Sequence, residues 1–376
     1  MKAKNQYQYF LPTKIYFGLG SINMLSELVS QLKSKRPLLI VGEHFKKEKV
    51  FAKIVSFIKP TPLIYDCPIG KSDIQSIDKL AVFCQQKKPD LMIAIGGGTI
   101  LDTAKAAAIL ETHHCNIEEL VITGEKKVIK ESVSLIAIPT TSGTGTEVTP
   151  FAVVWDEEKK KKYSLDSSLV YPKIALVDPE LTINLPPQVT AYTGMDALTQ
   201  AIEAYWSKNH NPISDIYALK AIELVMNNLE KAVLKSVRVN REMMSLGSLM
   251  AGLAFSNTKT TICHAVSYPI TARWGIPHGH AVALTLPAFI KRSLPVLGKR
   301  QTLILKALGA SNAQEAATKI TGLMKKIGLE TELSKLGIKK TDLKIIVKEG
   351  FDPDRAAHAP WVPTPEELKS ILRKIL

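Results

Sequence analysis

The stretch LMIAIGGGT, residues 91–99, decides the fold, because five consecutive apolar residues run directly into three glycines and a threonine. An unbroken apolar run of this length is typical of a strand that is buried on both faces of a sheet. A helical pattern follows the glycines through Leu110. Strand, glycine turn and helix in this order form the unit from which parallel α/β sheets are built.

The same alternation fills the first half of the chain. Apolar strands are predicted at 37–42, 62–65, 91–95 and 134–139, with helical patterns at 46–58 and 72–88. We therefore expect an N-terminal α/β domain whose Rossmann-like parallel sheet is covered by helices on both faces.

Beyond residue 186 the chain becomes almost wholly helical in pattern. Long amphipathic stretches lie at 190–206, 213–234, 239–256 and 279–292, and a further set begins at 302. A chain of 376 residues is also too long for one ordinary core, so two domains are expected. We predict an α/β domain at 1–186 and an all-helical domain at 187–376.

Composition indicates a globular protein, with 45% apolar and 22% charged residues. No apolar run is long enough to span a membrane, and the N-terminus has no continuous apolar stretch, so we expect neither a membrane partner nor a secretory signal. A cytoplasmic enzyme is the expectation. The four cysteines are scattered and are predicted to be reduced thiols, although Cys263 lies beside a histidine of interest.

The net charge of +14 raises the question of a nucleic-acid partner. The lysines fall mostly in short pairs, and the longest run, 159–162, follows an acidic patch at 156–158 as it would at the tip of a hairpin. We therefore predict a solvated surface and no nucleic-acid partner. A general attraction for anionic ligands remains open.

The glycine turn at 96–99 has a physical use. Glycines let the backbone approach a ligand closely, and the first N–H groups of the following helix attract phosphate. The spacing is not G-x-G-x-x-G, so the usual dinucleotide fingerprint fails. However, a second small polar loop, PTTSGTGT at 139–146, also follows a buried strand. In a parallel sheet both loops leave at the carboxyl edge, where ligands bind, which favours a dinucleotide site.

A candidate metal set lies in the helical half. Asp196 and Gln200 are four residues apart, so their side chains project from one face of a helix. His264 and His278 follow. A carboxylate with two imidazoles is a credible set for a divalent metal, with donors that suit zinc or iron, whereas an isolated histidine is usually structural.

Several motifs together carry a resemblance to a known family. They are GGGTILDTAK at 96–105, IPTTSGTGTEVT at 138–149, GMDALTQAIEAY at 194–205, the segment HAVSYP…GIPHG at 264–279, and PTKIYFGLG at 12–20. In this order, over essentially the whole chain, they resemble the iron-containing (group III) alcohol dehydrogenases. The resemblance implies the fold that this family shares with dehydroquinate synthases, and NAD(P)-linked oxidation and reduction at a CH–OH group.

The resemblance also implies roles for individual residues. It assigns the dinucleotide pyrophosphate and the nearby ribose to Gly96, Gly97, Gly98, Thr99 and Asp102, the nicotinamide end to Thr140, Thr141 and Thr144, and the nicotinamide ribose to Lys162. It assigns the metal, iron or zinc, to Asp196, residue 200, His264 and His278. A homodimer or a larger homo-oligomer is expected.

Two positions depart from the family pattern. Relatives with iron usually have histidine where this chain has Gln200, and an amide oxygen is a poorer ligand. The metal site is therefore weaker, less selective for iron, or formed by three residues only. Many relatives also have histidine at the position of Tyr268, where it joins the proton relay, so proton transfer here uses Tyr268, a water or nothing equivalent.

Two cations suggest the substrate class. Lys259 lies five residues before His264, where relatives that take uncharged alcohols have small apolar residues, and Arg273 lies five residues before His278. A buried cation is costly without an anion, so we expect a small aldehyde with a negatively charged end. The sequence of this stretch resembles the phosphonoacetaldehyde reductase branch of the family. The alternative is that both cations pair with local acids or point to solvent.

Cofactor preference depends on the end of the first predicted strand. Glu43 is placed to bond the ribose hydroxyls and to repel a 2′-phosphate, which favours NAD over NADP. Lys46 and Lys47 leave NADP open. Two other functions also remain open: a lyase similar to dehydroquinate synthase, and a pseudo-enzyme scaffold that lost its metal through Gln200.

Overall fold

The computed structural model describes residues 6–68, 70–351 and 353–376. Residues 1–5 lie outside this range. They belong to the N-terminal stretch from which we expect no secretory signal. The chain forms two compact units: one comprises Pro12–Thr141 and Thr146–Asn184, and the other comprises Leu185–Leu376, Ser142–Gly145 and the described residues up to Leu11.

Two short segments therefore belong with the helical unit, although the sequence placed them in the α/β domain. The N-terminal segment is held there because the Tyr9 hydroxyl donates to the Leu253 carbonyl and the Phe10 N–H donates to the Asn257 side chain. In the other segment, the Ser142 hydroxyl lies 2.9 Å from that of Ser245.

The α/β unit contains a parallel sheet, as predicted, and the sheet has six strands. Its strands and those of a two-stranded hairpin are β1 (Lys14–Phe17), β2 (Pro37–Gly42), β3 (Leu63–Cys67), β4 (Leu91–Gly96), β5 (Ser134–Pro139), β6 (Phe151–Asp156), β7 (Lys161–Asp166) and β8 (Ile174–Val177). The large sheet has the order β1-β8-β5-β4-β2-β3, and its neighbouring strands all run parallel. The antiparallel pair β6–β7 forms the predicted hairpin around the charged run.

Helices cover both faces of the sheet. They are α1 (Leu25–Gln31), α2 (Glu43–Lys46), α3 (Val50–Phe57), α4 (Ile74–Lys87) and α5 (Gly98–His113). Leu38 and Ile40 belong to the core that includes α4 and α5, whereas Leu39 and Val41 belong to the core that includes α1 and α3. Successive side chains of a strand point to opposite faces, so a sheet covered on both faces needs the continuous apolar strands seen in the sequence.

The second unit is helical. Its helices are α6 (Pro187–Trp206), α7 (Pro212–Leu234), α8 (Arg238–Thr258), α9 (Ile262–Trp274), α10 (His278–Ser293), α11 (Arg300–Ala307), α12 (Ala313–Lys326), α13 (Leu343–Gly350), α14 (Pro353–Ala357) and α15 (Pro365–Lys374). Helix α9 was not predicted, and it carries Pro269 in its interior. Within the described ranges, no helix is long and apolar enough to cross a membrane.

Candidate active site

Helix α6 presents three polar side chains to the interior of the helical unit. Asp196 is 3% exposed, Gln200 is 5% exposed and Glu203 is fully buried. Their spacing of four and three residues places them on one face of the helix. Burying two carboxylates and an amide on one helix face is costly unless each group finds a partner.

Two histidines meet this face from the neighbouring helices. His264 lies in the first turn of α9, and His278 is the first residue of α10. Asp196, His264 and His278 each offer one ligand atom, and these three atoms lie within 4.8 Å of one another. The imidazole rings are 5.5 Å apart and roughly perpendicular, so their edges approach the carboxylate from two directions.

Close packing fixes the start of α10 against α6. A Cβ added to Gly279 would lie 2.0 Å from the carbonyl oxygen of Tyr192 and 2.9 Å from the Cβ of Asp196. Because real Cβ atoms do not approach backbone this closely, only glycine allows α10 to begin here. The IPHG motif thus places His278 one residue before the point of closest helix contact.

Glu203 organises the site from behind. Its carboxylate accepts hydrogen bonds from the Thr261 hydroxyl and N–H, the Cys263 N–H at 2.7 Å, and Nδ1 of His264 at 2.5 Å. The Trp206 indole donates in turn to the Thr261 hydroxyl. With Nδ1 engaged by Glu203, Nε2 of His264 is the nitrogen that faces Asp196, 3.4 Å away. Such a carboxylate–histidine pair is the usual support for a metal-binding imidazole.

The two groups shift each other's protonation. Burial alone would raise the pKa of Glu203, but the charge and hydrogen bond of His264 hold that pKa below its ordinary value. Burial alone would lower the pKa of His264, but Glu203 and Asp196 raise that pKa above its ordinary value. The surroundings therefore favour an anionic Glu203 beside a His264 ring on which positive charge is stabilised.

The donor atoms fit a divalent cation. Oδ1 of Asp196, Oε1 of Gln200 and Nε2 of His264 are fully buried and have no hydrogen-bond partner among the described residues. Buried polar groups are normally hydrogen-bonded, so three such atoms on this helix face and its neighbour call for a ligand that accepts their lone pairs. Oxygen and imidazole nitrogen suit zinc or iron.

Glu203→Gln is expected to weaken metal binding or activity about 10- to 100-fold, the usual effect of losing a carboxylate behind a metal-binding histidine. The amide can still accept one hydrogen bond, but it cannot stabilise charge on His264. Metal affinity, measured by titration of the stripped protein, checks this. An exposed carboxylate on α7, changed as Glu223→Gln, is the matched control. Unchanged metal affinity in Glu203→Gln would show that Glu203 serves only the packing of α6 and α9.

Three further predicted residues are Tyr268, Lys259 and Arg273, and of these Tyr268 lies at the site. The Tyr268 ring stacks on His278, with 5.9 Å between ring centres and 20° between planes, so it lies at the site. Lys259 is exposed and takes a left-handed φ of 64° directly after α8. The expectation that Lys259 is buried is wrong, and its role toward a substrate stays a prediction.

The prediction for Arg273 is also wrong. Its guanidinium makes a two-pronged ion pair with Glu349 on α13, at 2.7 and 2.5 Å, near the surface. The residue lies in the last turn of α9, nine residues after His264, and is directed to a partner acid instead of a substrate. The alternative stated for it, pairing with a local acid, is the one that holds.

Cys263, the cysteine beside His264, is fully buried, and burial raises the pKa of its thiol well above the ordinary value. Only the thiolate is a strong nucleophile, so Cys263 is a packing residue.

In the α/β unit, the two predicted loops lie side by side. Strands β4 and β5 pair with Gly96 opposite Pro139, and the Thr140 N–H donates to the Gly96 carbonyl. A Cβ on Gly97 would contact the Thr141 side chain at 3.3 Å. Gly97 caps α5, a sixteen-residue helix that begins at Gly98. A helix start of this kind, beside a second polar loop at the carboxyl edge, suits a phosphate group.

Packing explains why residue 96 is a glycine. A Cβ there would lie 2.4 Å from Cδ1 of Ile100, in the first turn of α5. Thr99, the fourth residue of the turn, donates its hydroxyl to the Gly70 carbonyl at 3.0 Å. The turn is therefore partly shaped by contacts within the protein.

The Asp102 carboxylate is engaged within the protein, and the role implied for it by the family resemblance stays a prediction. Asp102 is 7% exposed, and its carboxylate accepts from the Thr146 hydroxyl at 2.5 Å and from the Val153 N–H at 3.1 Å. Its carboxylate joins α5 to the start of the hairpin.

Lys105, which the sequence analysis missed, completes this buried cluster. Its ammonium is 1% exposed and donates to the carbonyls of Thr146, Thr149 and Phe151. Burial lowers the pKa of Lys105 to about 8, against the opposing charges of Asp102 and Glu147. Burial raises the pKa of Glu147 to about 7.

The remaining predicted cofactor residues are spread over both units. Thr144 lies in the short segment that belongs to the helical unit. Lys162 is on β7, with its ammonium 6.0 Å from the Trp155 ring centre. Glu43 begins α2 at the carboxyl end of β2 and is exposed, paired with Lys47 at 3.5 Å, while Lys46 pairs with Asp66. Their roles toward a cofactor stay predictions.

The fold agrees with comparisons to known proteins. Residues 12–179 match the family described as iron-containing alcohol dehydrogenase, and residues 190–376 match the C-terminal part of the same family. The chain belongs to the iron-containing alcohol dehydrogenase family. It is accordingly an alcohol/aldehyde oxidoreductase, and the family prediction from the sequence is confirmed.

Individual relatives cover nearly the whole chain. An NADPH-dependent butanol dehydrogenase of Clostridium saccharobutylicum is 34% identical over 90% of this chain and 88% of its own length. A 1,3-propanediol dehydrogenase of Klebsiella pneumoniae is 30% identical over 98% of each chain. The structure of sulfoacetaldehyde reductase from Bifidobacterium kashiwanohense in complex with NAD+ is similar with a TM-score of 0.93, at 31% identity and 98% coverage of both chains.

Proposed function

We propose that this protein is a metal-dependent, NAD(P)-linked reductase of a small aldehyde that carries an anionic group. The observation that carries the proposal is the convergence of Asp196, His264 and His278 to within 4.8 Å, with Glu203 holding His264 in place. The solved sulfoacetaldehyde reductase, whose name specifies an anionic aldehyde, supports the substrate class.

In this proposal Asp196, His264 and His278 hold the cation, and Gln200 lies one helix turn from Asp196 as a fourth, weaker oxygen donor. A divalent cation bound there supplies a Lewis acid for the carbonyl oxygen of the aldehyde. Glu203 keeps the His264 imidazole oriented with Nε2 toward the ligand. The Tyr268 ring stacks on the His278 imidazole and helps to orient it.

In this proposal the dinucleotide binds at the carboxyl edge of the sheet. The dinucleotide supplies the hydride. Gly97 and Gly98 leave the backbone at the start of α5 open to phosphate, and Thr140 and Thr141 stand beside them after β5. Glu43 follows β2, which pairs with β4, and an acid at that position favours the ribose hydroxyls of NAD. The choice between NAD and NADP stays a prediction.

The proposed substrate has an aldehyde at one end and a sulfonate, phosphonate or carboxylate at the other; phosphonoacetaldehyde is the case suggested by the sequence. Lys259 supports an anionic substrate by its place five residues before His264. The exposed position of this lysine makes it a group that attracts anions from solvent rather than a buried clamp.

The test is activity after metal reconstitution. Protein stripped by a chelator and reloaded with iron, zinc or no metal is assayed with NADH and NADPH against sulfoacetaldehyde, phosphonoacetaldehyde and propanal. We expect turnover only with metal, and a kcat/KM for the anionic aldehydes at least about tenfold above that for propanal, equivalent to about 1.4 kcal/mol. Equal kcat/KM values would contradict the anionic substrate.

Absence of turnover with every metal and cofactor would contradict the reductase itself and favour the lyase or scaffold alternatives. A cytoplasmic location and a homo-oligomeric state remain predictions from the sequence. Gel filtration with light scattering on the metal-loaded protein measures the second of these.

A further inference from the structure

The polar loop at 139–146 is fixed at both of its ends. Near the first end, the Thr140 N–H donates to the carbonyl of Gly96, the last residue of β4. Residues Ser142–Gly145 then belong with the helical unit, and Thr146 is the first residue to belong with the α/β unit again. The conformation of the loop therefore depends on how Thr146 is held.

Lys105 holds Thr146 from within α5. Its ammonium donates to the Thr146 carbonyl at 2.9 Å and lies 3.0 Å from the hydroxyl of the same residue. It also donates to the Thr149 carbonyl at 2.8 Å and to the Phe151 carbonyl. An ammonium has three N–H donors, so three carbonyls of one short segment use all of them. The helix whose start at Gly98 suits a phosphate group thus also anchors the loop.

The surroundings of the ammonium leave the loop little freedom. Lys105 is 1% exposed, and Asp102 and Glu147, whose negative charges act on it, are buried as well. The Asp102 carboxylate accepts from the Thr146 hydroxyl, so two side chains of α5 bind the same residue. A shift of Thr146 would leave the ammonium without its acceptors where water hardly reaches, which is costly. This end of the loop is therefore held in one position.

The loop that is held in this way is one that the proposed function uses. A Cβ on Gly97 would contact the Thr141 side chain at 3.3 Å, so the loop borders the turn that suits a pyrophosphate. The family resemblance assigns Thr140, Thr141 and Thr144 to the nicotinamide end of the cofactor. A loop that is ordered before the ligand arrives loses less conformational freedom on binding, and the affinity is higher for that reason.

We infer that Lys105 is a positioning residue for the dinucleotide, because it holds the loop at 139–146 ready for the nicotinamide end. Lys105 acts through the carbonyls of Thr146 and Thr149 and contacts neither cofactor nor substrate. The inference rests on the proposed function, since it requires a dinucleotide at the carboxyl edge of the sheet. Loss of a residue that served stability alone would affect the nicotinamide end no more than the rest of the cofactor.

The experiment compares wild type with Lys105→Met, Thr146→Val and the matched control Leu80→Ala. Thr146→Val removes the hydroxyl that contacts Lys105 and Asp102 and keeps the shape of the side chain. Leu80 is fully buried on α4, in the core that includes α5. Leu80→Ala therefore leaves a cavity and lowers stability at a place outside the loop.

Calorimetry on the metal-loaded proteins gives two dissociation constants for each variant. One is the Kd of the reduced cofactor that wild type binds, NADH or NADPH. The other is the Kd of the same molecule without its nicotinamide end, which is ADP-ribose for NADH and 2′-phospho-ADP-ribose for NADPH. The ratio of the two values measures what the nicotinamide end contributes to binding. Circular dichroism at the temperature of the titration shows whether each variant is folded.

Lys105→Met is expected to raise the Kd of the reduced cofactor about tenfold, equivalent to about 1.4 kcal/mol, because binding must then order the loop. The Kd of the ADP-ribose fragment is expected to stay within a factor of about 2 of wild type. Thr146→Val keeps the bonds from Lys105 to the carbonyls and is expected to raise the Kd of the reduced cofactor about threefold. Leu80→Ala is expected to match wild type in both values.

The outcomes separate the inference from the function beneath it. A wild type that binds neither NADH nor NADPH would overturn the proposed function, and the inference with it. A wild type that binds a reduced cofactor, with both Kd values unchanged or raised alike in Lys105→Met, would overturn the inference alone. The same change of ratio in Leu80→Ala would also overturn it, because lost stability would then explain the effect. If Lys105→Met does not fold, Thr146→Val decides: an unchanged ratio of the two Kd values overturns the inference.

Discussion

His264→Ala is expected to lower kcat/KM about a thousandfold or more and to abolish stoichiometric metal binding. The variant removes a donor nitrogen from the cluster with Asp196 and His278 and leaves the buried Glu203 carboxylate without its imidazole partner. A bound cation contributes several kcal/mol of charge stabilisation in carbonyl chemistry, and about 4 kcal/mol corresponds to a thousandfold change in rate. Steady-state kinetics and elemental analysis of the purified variant measure both effects.

A second buried histidine provides the control. His280 is in the same helix as His278 and bonds the Glu330 carbonyl through its ring nitrogen at 2.7 Å. His280→Ala is expected to cost stability through the lost packing and hydrogen bond while keeping the metal. If His264→Ala retains both metal and turnover, the assignment of the metal site is wrong.

Lys105→Met is expected to lower the free energy of unfolding by about 3–5 kcal/mol, the usual cost of breaking a buried, hydrogen-bonded charge arrangement. The methionine fills the volume but leaves the carbonyls of Thr146 and Thr149 without a donor, and it leaves Asp102 without its neighbouring positive charge. The affected segment begins β6 and lies beside the loop that follows β5. Urea unfolding followed by circular dichroism measures the change.

The matched control is Lys79→Met on α4, where the lysine is exposed. An exposed substitution of this kind changes stability by no more than about 0.5 kcal/mol. A loss below about 1 kcal/mol in Lys105→Met would show that the cluster of Lys105 with Asp102 is dispensable for folding, because a single lost hydrogen bond already accounts for that much.

Much of the fold could be predicted because periodicity is a local signal. The strands at 37–42, 91–96 and 134–139 are continuous apolar runs, and the long helices α6, α7 and α8 have clear amphipathic patterns. The four-residue strands β1 and β8 are too short to show a pattern of their own, and they are identified by their pairing in the sheet, β1 with β8 and β8 with β5. Helix α9 was missed because Pro269 interrupts its pattern.

The candidate site was predictable where its residues share one helix. Asp196 and Gln200 were identified by their spacing, and the same rule extends to Glu203, three residues further along the same face. An acid seven residues after a candidate ligand, on the same helix face, is a signal that the sequence contains. The bonds that Glu203 makes to His264 depend on how α6 and α9 pack, which no local pattern shows.

The limit of prediction from sequence is clearest for two arginines. Arg273 was selected for its closeness to His278 in sequence, yet its partner is Glu349, 76 residues away. Arg355 lies 95 residues from Thr260, the residue it contacts, and nothing in its surroundings in sequence marks it. Contacts of this range are fixed by the arrangement of the helices, so no local sequence pattern shows them.

The most direct test of the metal centre is an anomalous difference map from crystals grown with zinc or iron and measured on both sides of the metal absorption edge. The account predicts one strong peak per chain, about 2.0–2.2 Å from Asp196, His264 and His278, as is usual for oxygen and nitrogen ligands. The distance of this peak from Gln200 decides whether its amide is a fourth ligand. A metal-loaded, active protein with no peak among these three residues would contradict the account.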